Sequence, residues 1–314
     1  MTIDTPTSTF AGLPVQQYSA DIPTPTDPGA FAWKIATDWN RGDDGFVDDL
    51  VSLAGQPWAG QISTLVFGCW TEASDPLPTD KVVPLLAAFP AVRHLFVGDM
   101  TFEECEISWI DWGDLGAVLA AFPDLETLQL RGGSSTTISE PVPLATPVLP
   151  RLRSLTVESG GLQQTYLDGL LAIDAPDLTD LEIWLGVDNY GAITVVDPLS
   201  ALLAGNRFPA LSRLGLRNSD LADRIAAALV QAPVLQRIST LDLSNGTLTD
   251  TGADTLAGAD LGAVRTLILD HHFVSDEALS RLRAAHPHVE ISADDRQEPE
   301  EHGGEVYLYT AVSE

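Results

Sequence analysis

One pattern constrains the fold of this chain more than any other: an apolar residue, two others, an apolar residue, one other, and an apolar residue. It starts at Ile62, Val92, Leu125, Leu152, Leu178, Leu211, Ile238 and Val264, as in LETLQL (125–130) and ISTLDL (238–243), at intervals of 30, 33, 27, 26, 33, 27 and 26 residues. A weaker ninth copy, HVEIS at 288–292, keeps only Val289 and Ile291. The spacing fits neither a plain helix nor a plain strand. It suits one short strand followed by a return segment, a unit that cannot bury its apolar side until neighbours stack on it. Pro90, Pro123, Pro150, Pro176 and Pro209 stand just before copies, where proline ends a helix and starts extended chain.

The return segments 79–89, 165–173, 197–205, 219–232 and 275–286 have helical apolar spacing. Asp197-Pro198 and Ser275 are helix starts by capping and by proline at the first turn. After Leu130 the run RGGSSTTISEPVPLATPVLP holds too much Ser, Thr and Pro for a helix and predicts an irregular loop.

This unit resembles the leucine-rich repeat, and its interval together with LDLSNGTLTDTGADTLAG resembles the ribonuclease-inhibitor-like subclass. The resemblance implies an α/β fold: a right-handed solenoid or horseshoe of about eight to nine repeats, with a parallel inner sheet and a mostly helical outer face. Such repeats usually carry Asn at the ninth position, where this chain has Trp70, Met100, Gly133, Gly160, Gly186, Ser219, Gly246 and His272. Four glycines in that row predict a turn that needs positive φ or close backbone approach. The organisation expected is an N-terminal segment and capping strand (1–57, the strand within 31–39), the solenoid (58–292), and an acidic linker with a C-terminal strand (293–314). The last strand either docks on the body or is a disordered tail.

FAGLPV, EISWI, ESGGL, WLGVDNYG, LTDTGA and the closing AVSE are similar, through almost the whole chain, to a family of stand-alone bacterial leucine-rich-repeat proteins. That resemblance implies a cytoplasmic protein and no assigned reaction.

The net charge is -29, from 45 acidic against 16 basic residues, and Lys34 and Lys81 are the only lysines. Such a surface repels phosphate backbones and anionic lipid heads, so neither nucleic acid nor membrane is an expected partner. The charge suits a basic protein partner, and equally solubility or adaptation to salt. Cys69 and Cys105 are too few and too far apart for a disulfide framework. The opening residues lack an export signal and the apolar runs are too short to span a bilayer, which leads to the expectation of a cytoplasmic protein; the sequence leaves the oligomeric state open, with a monomer favoured.

Positions between the apolar ones face the concave side. One row reads Val66, Phe96, Gln129, Thr156, Glu182, Gly215, Asp242 and Ile268; the next reads Gly68, Gly98, Arg131, Glu158, Trp184, Arg217, Ser244 and Asp270. An exposed tryptophan, two arginines and several carboxylates resemble a recognition surface, so Phe96, Gln129, Arg131, Glu158, Glu182, Trp184, Arg217, Asp242 and Asp270 are candidate binding residues. Arg131 with Glu158 and Glu182 with Arg217 equally suit plain pairing along a solvated sheet. Two excursions add Trp112 and the turn Asp188, Asn189, Tyr190, since insertions in repeats gather on the binding side; Trp109 is expected to pack under its own loop. The expected role is a non-catalytic protein-binding scaffold or adaptor. The alternative is a small-molecule sensor or enzyme using Glu158, Glu182 or Asp242, with a site between the concave face and the loops after Val97 and Ile183. Asp270, His271, His272, His286 and His288 have metal-binding side chains, but a helical return separates the two groups, so no metal, cofactor or catalytic residue is expected. Cys69 lacks a nearby basic residue to lower its pKa and reads as a buried or semi-buried free thiol.

Overall fold

The computed structural model describes residues 3–37, 44–70, 75–133, 143–145 and 147–313. Its twelve-stranded sheet runs in sequence order: β1 (Thr9–Phe10), β2 (Leu13–Gln17), β3 (Ala32–Ile35), β4 (Thr64–Phe67), β5 (His94–Val97), β6 (Thr127–Arg131), β7 (Ser154–Glu158), β8 (Asp180–Gly186), β9 (Arg213–Ser219), β10 (Thr240–Asp242), β11 (Thr266–Ile268) and β12 (Glu290–Ser292). All neighbours pair in parallel except β1 and β2. Parallel neighbours without a hairpin need a crossover each time, and each interval supplies one. This is an α/β leucine-rich-repeat solenoid.

The eight copies of the apolar pattern form β4 to β11, and the weaker ninth forms β12. Leu65, Leu95, Leu128, Leu155, Leu181, Leu214, Leu241 and Leu267 lie in register, with Trp33 before them and Ile291 after. Each of these leucines is at most 1% exposed. Burial of one such side chain contributes about 1.5–3 kcal/mol, so the repeated position is also the main source of cohesion.

Helices return the chain along the other side of this core: α1 (Gly45–Ala54), α2 (Thr79–Val82), α3 (Leu115–Ala120), α4 (Gln164–Ala172), α5 (Ser200–Leu203), α6 (Ala222–Leu229), α7 (Asp250–Ala257) and α8 (Asp276–Ala285). The segment expected to be one helix over 79–89 is α2 followed by a 3-10 turn at Val83–Ala88, because Pro84 has no N–H with which to continue the α pattern. Asp197 and Pro198 likewise open a 3-10 turn that leads into α5. Ser275 caps α8, its hydroxyl accepting the Ala278 N–H at 3.2 Å. Half of the expected irregular loop, 134–142 and 146, lies outside the described residues, as do Asp38 and Trp39 of the expected capping strand.

The strand expected to end the sheet does not end it. β3 pairs with β4 but is itself covered by β2 and β1, and α1 fills the return between β3 and β4. The β1–β2 turn, Ala11-Gly12, has φ of +49° and +77°, the paired positive values of a tight hairpin.

In the glycine row, Gly133 and Gly186 have φ of +79° and +76°. Gly160 and Gly246 answer the second expectation, since a Cβ would lie 2.3 Å from Ser313 O and 2.8 Å from Ser219 O respectively. A row of left-handed residues with main-chain bonds stands one residue earlier than the family position. Asn218, Asn245, His271 and Asp295 are left-handed, and the first three donate their N–H to Ser244, Asp270 and Asp294 carbonyls at 2.8–3.0 Å.

Candidate functional site

The face of the sheet turned away from the helices divides into two halves. In the first, the β1–β2 hairpin curls over the strands and places the Phe10 ring 5.6 Å from that of Phe96. Both join a small apolar cluster with Ala32 and Val66. Phe96, read from the sequence as a binding residue, is fully buried and is instead a packing residue.

Beside it lies a chain of buried charges. Lys34 Nζ is 2.8 Å from Asp99 Oδ2 and donates also to the Asp99 carbonyl; Arg131 Nη1 is 3.6 Å from Asp99 Oδ1. Thr7 Oγ1 donates to the same Oδ1 at 2.6 Å. Arg131 Nε donates to Glu158 Oε2 at 2.7 Å, Gln129 donates to Glu158 Oε1 at 3.1 Å, and the guanidinium lies over the Phe96 ring. Asp99 is completely buried and Arg131 6% exposed, so this network is internal. Arg131 and Glu158 do pair along the sheet; Arg131 is buried, while Glu158 and Gln129 are half-buried and committed to this network. A charge buried this way is tolerated only while every partner remains.

The second half is less deeply covered, with Arg213, Arg217, Glu182 and Trp184 half-buried. Arg213 reaches Asp242 Oδ2 at 2.9 Å, Glu182 Oε2 at 3.4 Å and Asp180 at 3.6 Å. Arg217 pairs with Glu182, donates to Ser244 Oγ at 2.8 Å and covers the Trp184 ring, whose Nε1 donates to Glu182 at 2.9 Å. Burial would lower the Arg213 pKa, but Asp242, Asp180 and Glu182 together hold it above its ordinary value. Desolvation raises the Asp180 carboxyl, against the pull of Arg213. Asp242 is buried and accepts from Ser244 N and Oγ, while Asp270 accepts from Ser292 Oγ and the Asp294 N–H, so both also organise the turns behind the strands.

Trp184 is half-buried, not exposed as the alternation implies. It packs against the cluster of Ile107, Ala311 and Val312, as does Ile3, which brings both ends of the described chain to this cluster. The C-terminal segment is docked: the Tyr309 carbonyl meets His271 Nε2 at 3.1 Å, Ala311 N–H donates to the Asn245 carbonyl at 2.9 Å, and Val312 N–H donates to Asn218 Oδ1 at 2.9 Å. Asn218 Nδ2 returns a bond to the Val312 carbonyl. The left-handed asparagine row is therefore the clamp for the tail. Before it, β13 (Glu300–His302) and β14 (Glu305–Tyr307) form a separate exposed hairpin.

The two tryptophans of the first excursion exchange their expected places. Trp112 is fully buried, donating Nε1–H to the Arg131 carbonyl at 2.8 Å and packing on Tyr166, so it is no ligand residue; Trp109 is 44% exposed. Asp188, Asn189 and Tyr190 form a 3-10 turn closed by Gly191 at φ +92°. With Asp220 and the tail residues Tyr307, Tyr309 and Thr310 they line a cavity of about 410 Å3. The tail's share in this cavity was not visible from local sequence.

The histidines are engaged separately. His272 is buried; its Nδ1 accepts the Val274 N–H at 2.9 Å, which leaves the proton on Nε2 facing the Ala293 carbonyl, and burial lowers its pKa. His286 Nε2 meets the Leu256 carbonyl at 2.9 Å. Among the described residues no three His, Cys, Asp or Glu side chains are grouped to hold a metal ion, and no helix is long and apolar enough to cross a membrane.

No family model matches this chain, and no curated protein does. Among solved structures, a Bacteroides fragilis protein determined by a structural genomics consortium is similar over 88% of this chain and 76% of its own, at 27% identity and a TM-score of 0.75. A Listeria monocytogenes internalin aligns over 84% of this chain and 97% of its own at 13% identity, with a TM-score of 0.28, too low to bear on the fold.

Proposed function

We propose that this chain is a non-catalytic protein-binding scaffold of the ribonuclease-inhibitor-like leucine-rich-repeat subclass, working as a monomer in a bacterial cytoplasm. Its recognition surface is the second half of the inner face together with the rim formed by the 188–190 turn and the docked tail. The observation that carries this reading is the grouping of Trp184, Arg217 and Glu182, water-accessible and partly apolar, in the same part of the molecule as Tyr190, Tyr307 and Tyr309. Aromatic and arginine side chains are the residue types that anchor protein interfaces. The net charge of -29 favours a basic partner and disfavours nucleic acid and anionic membranes.

The carboxylates on which an enzymatic reading would rest, Glu158, Glu182 and Asp242, are each bound to arginine or serine neighbours. One observation favours the alternative of a small-molecule sensor: the cavity beside the loop after Ile183 has the volume of a ligand pocket. The loop after Val97 does not contribute to that lining.

Affinity capture from the source lysate, comparing the wild type with Trp184→Ala and with Tyr190→Ala/Tyr307→Ala, tests the scaffold reading, with thermal melts as a folding control. A protein retained by the wild type and lost from both folded variants supports it. Identical captures from all three would remove it.

A further inference from the structure

The cavity between the 188–190 turn and the tail differs chemically from the rest of the acidic surface. Tyr307 and Tyr309, two residues apart on an extended segment, present nearly parallel rings, 11° between planes and 6.5 Å between centroids. They are 39% and 50% exposed, an unusual outlay of aromatic surface unless something covers it. The Tyr307 hydroxyl donates to Glu305 Oε2 at 2.7 Å, which places a carboxylate beside that ring.

Across the cavity stand Asp188 and Asp220, linked by the Asp188 N–H donating to Asp220 Oδ2 at 3.2 Å. On the inner face, Glu158, Glu182 and Asp242 each hold an arginine; among the described residues neither Asp188 nor Asp220 forms an ion pair. Asp220 is an exposed residue, yet desolvation of its carboxyl by the surrounding walls raises its pKa, against the pull of the Asp188 N–H and with the Asp188 charge adding repulsion. A counter-charge is missing where aromatic faces are ready to receive one.

Ring faces attract cations through the negative potential above the π-system, and carboxylates at the edge add a charged acceptor. The parallel orientation of the rings favours a flat cation that stacks and at the same time donates hydrogen bonds in its own plane. That describes guanidinium better than ammonium, whose charge is compact and more strongly hydrated. We propose that this cavity is a guanidinium-recognition site, lined by Tyr190, Tyr307, Tyr309, Asp188 and Asp220. Its occupant is an arginine side chain of the partner, an identification that rests on the scaffold reading; a free guanidino compound shares the same chemistry.

Isothermal titration of the full chain tests this with three probes: agmatine, a short peptide with one central arginine, and the same peptide with citrulline, which keeps the shape and removes the charge. Saturable binding of an arginine probe is expected, with at least a tenfold loss for citrulline and for each of Asp220→Asn and Tyr309→Ala. Tyr307→Ala replaces Tyr309→Ala if that variant does not melt like wild type. Tighter binding of the arginine peptide than of agmatine supports a protein-borne arginine. Agmatine binding without peptide binding keeps the guanidinium site and removes the scaffold reading. No saturable binding of either arginine probe, or equal binding of the citrulline peptide, overturns the site, whether or not a partner is captured from lysate.

Discussion

The two halves of the inner face each carry an arginine at the same position of the repeat and put it to different uses. Arg131 faces Glu158 across β6 and β7 as Arg217 faces Trp184 across β8 and β9. The first arginine is buried beside Asp99, which also binds Lys34 and Thr7 of the N-terminal segment; the second is partly exposed. What separates a buried charge from a partly exposed one is how far other segments of the chain cover it, not the repeat position.

That contrast can be broken most forcefully at Asp99. Asp99→Ala leaves Lys34 and Arg131 buried with a lost partner and should cost about 3–5 kcal/mol in urea unfolding; a loss below about 1 kcal/mol would show that the first half is solvated like the second. A smaller effect is expected at the clamp. Asn218→Gly keeps the left-handed backbone but removes the two side-chain bonds to Val312, at about 1 kcal/mol each. Limited proteolysis should then cut near 305–313 sooner than in wild type, and unchanged cleavage would mean that Asn218 does not hold the tail. In the open half, Asp180→Asn should shift stability by no more than about 1 kcal/mol, since its pair with Arg213 is partly exposed.

The smallest effect is a pH dependence that reads the interior rather than either face. His94 and His272 have folded-state pKa values below 6.5, in both cases chiefly through burial. The unfolded chain takes up these protons first, so stability falls as pH drops from 6.5 toward the folded values. His272→Asn should flatten that slope between pH 7 and 5, whatever it does to the stability at pH 7; an unaltered slope would show that His272 does not titrate this way.

Much of the architecture was legible because the repeated leucines are a local pattern with a physical period. The strand registers follow from it, and Ser275 announces α8 by an ordinary cap. What stayed hidden arises from contacts between distant segments. Nothing near Phe96 announces that Phe10 will cover it, and Asn218 meets Val312 across 94 positions. The exchange between Trp109 and Trp112 has a related cause: in an irregular excursion no period says which of two aromatic side chains points inward. β2 and α1 escaped notice because neither contains the apolar triplet that identifies the repeats.

The most direct measurement is hydroxyl-radical footprinting of the native chain, read residue by residue by mass spectrometry. The division of the inner face predicts protection of Phe10, Phe96 and Trp112, strong oxidation of Trp109, Tyr307 and Tyr309, and an intermediate rate for Trp184. Oxidation of Phe10 and Phe96 at rates like that of Tyr309, once corrected for intrinsic reactivity, would contradict it: the N-terminal hairpin would not cover the first half, and both halves would be open.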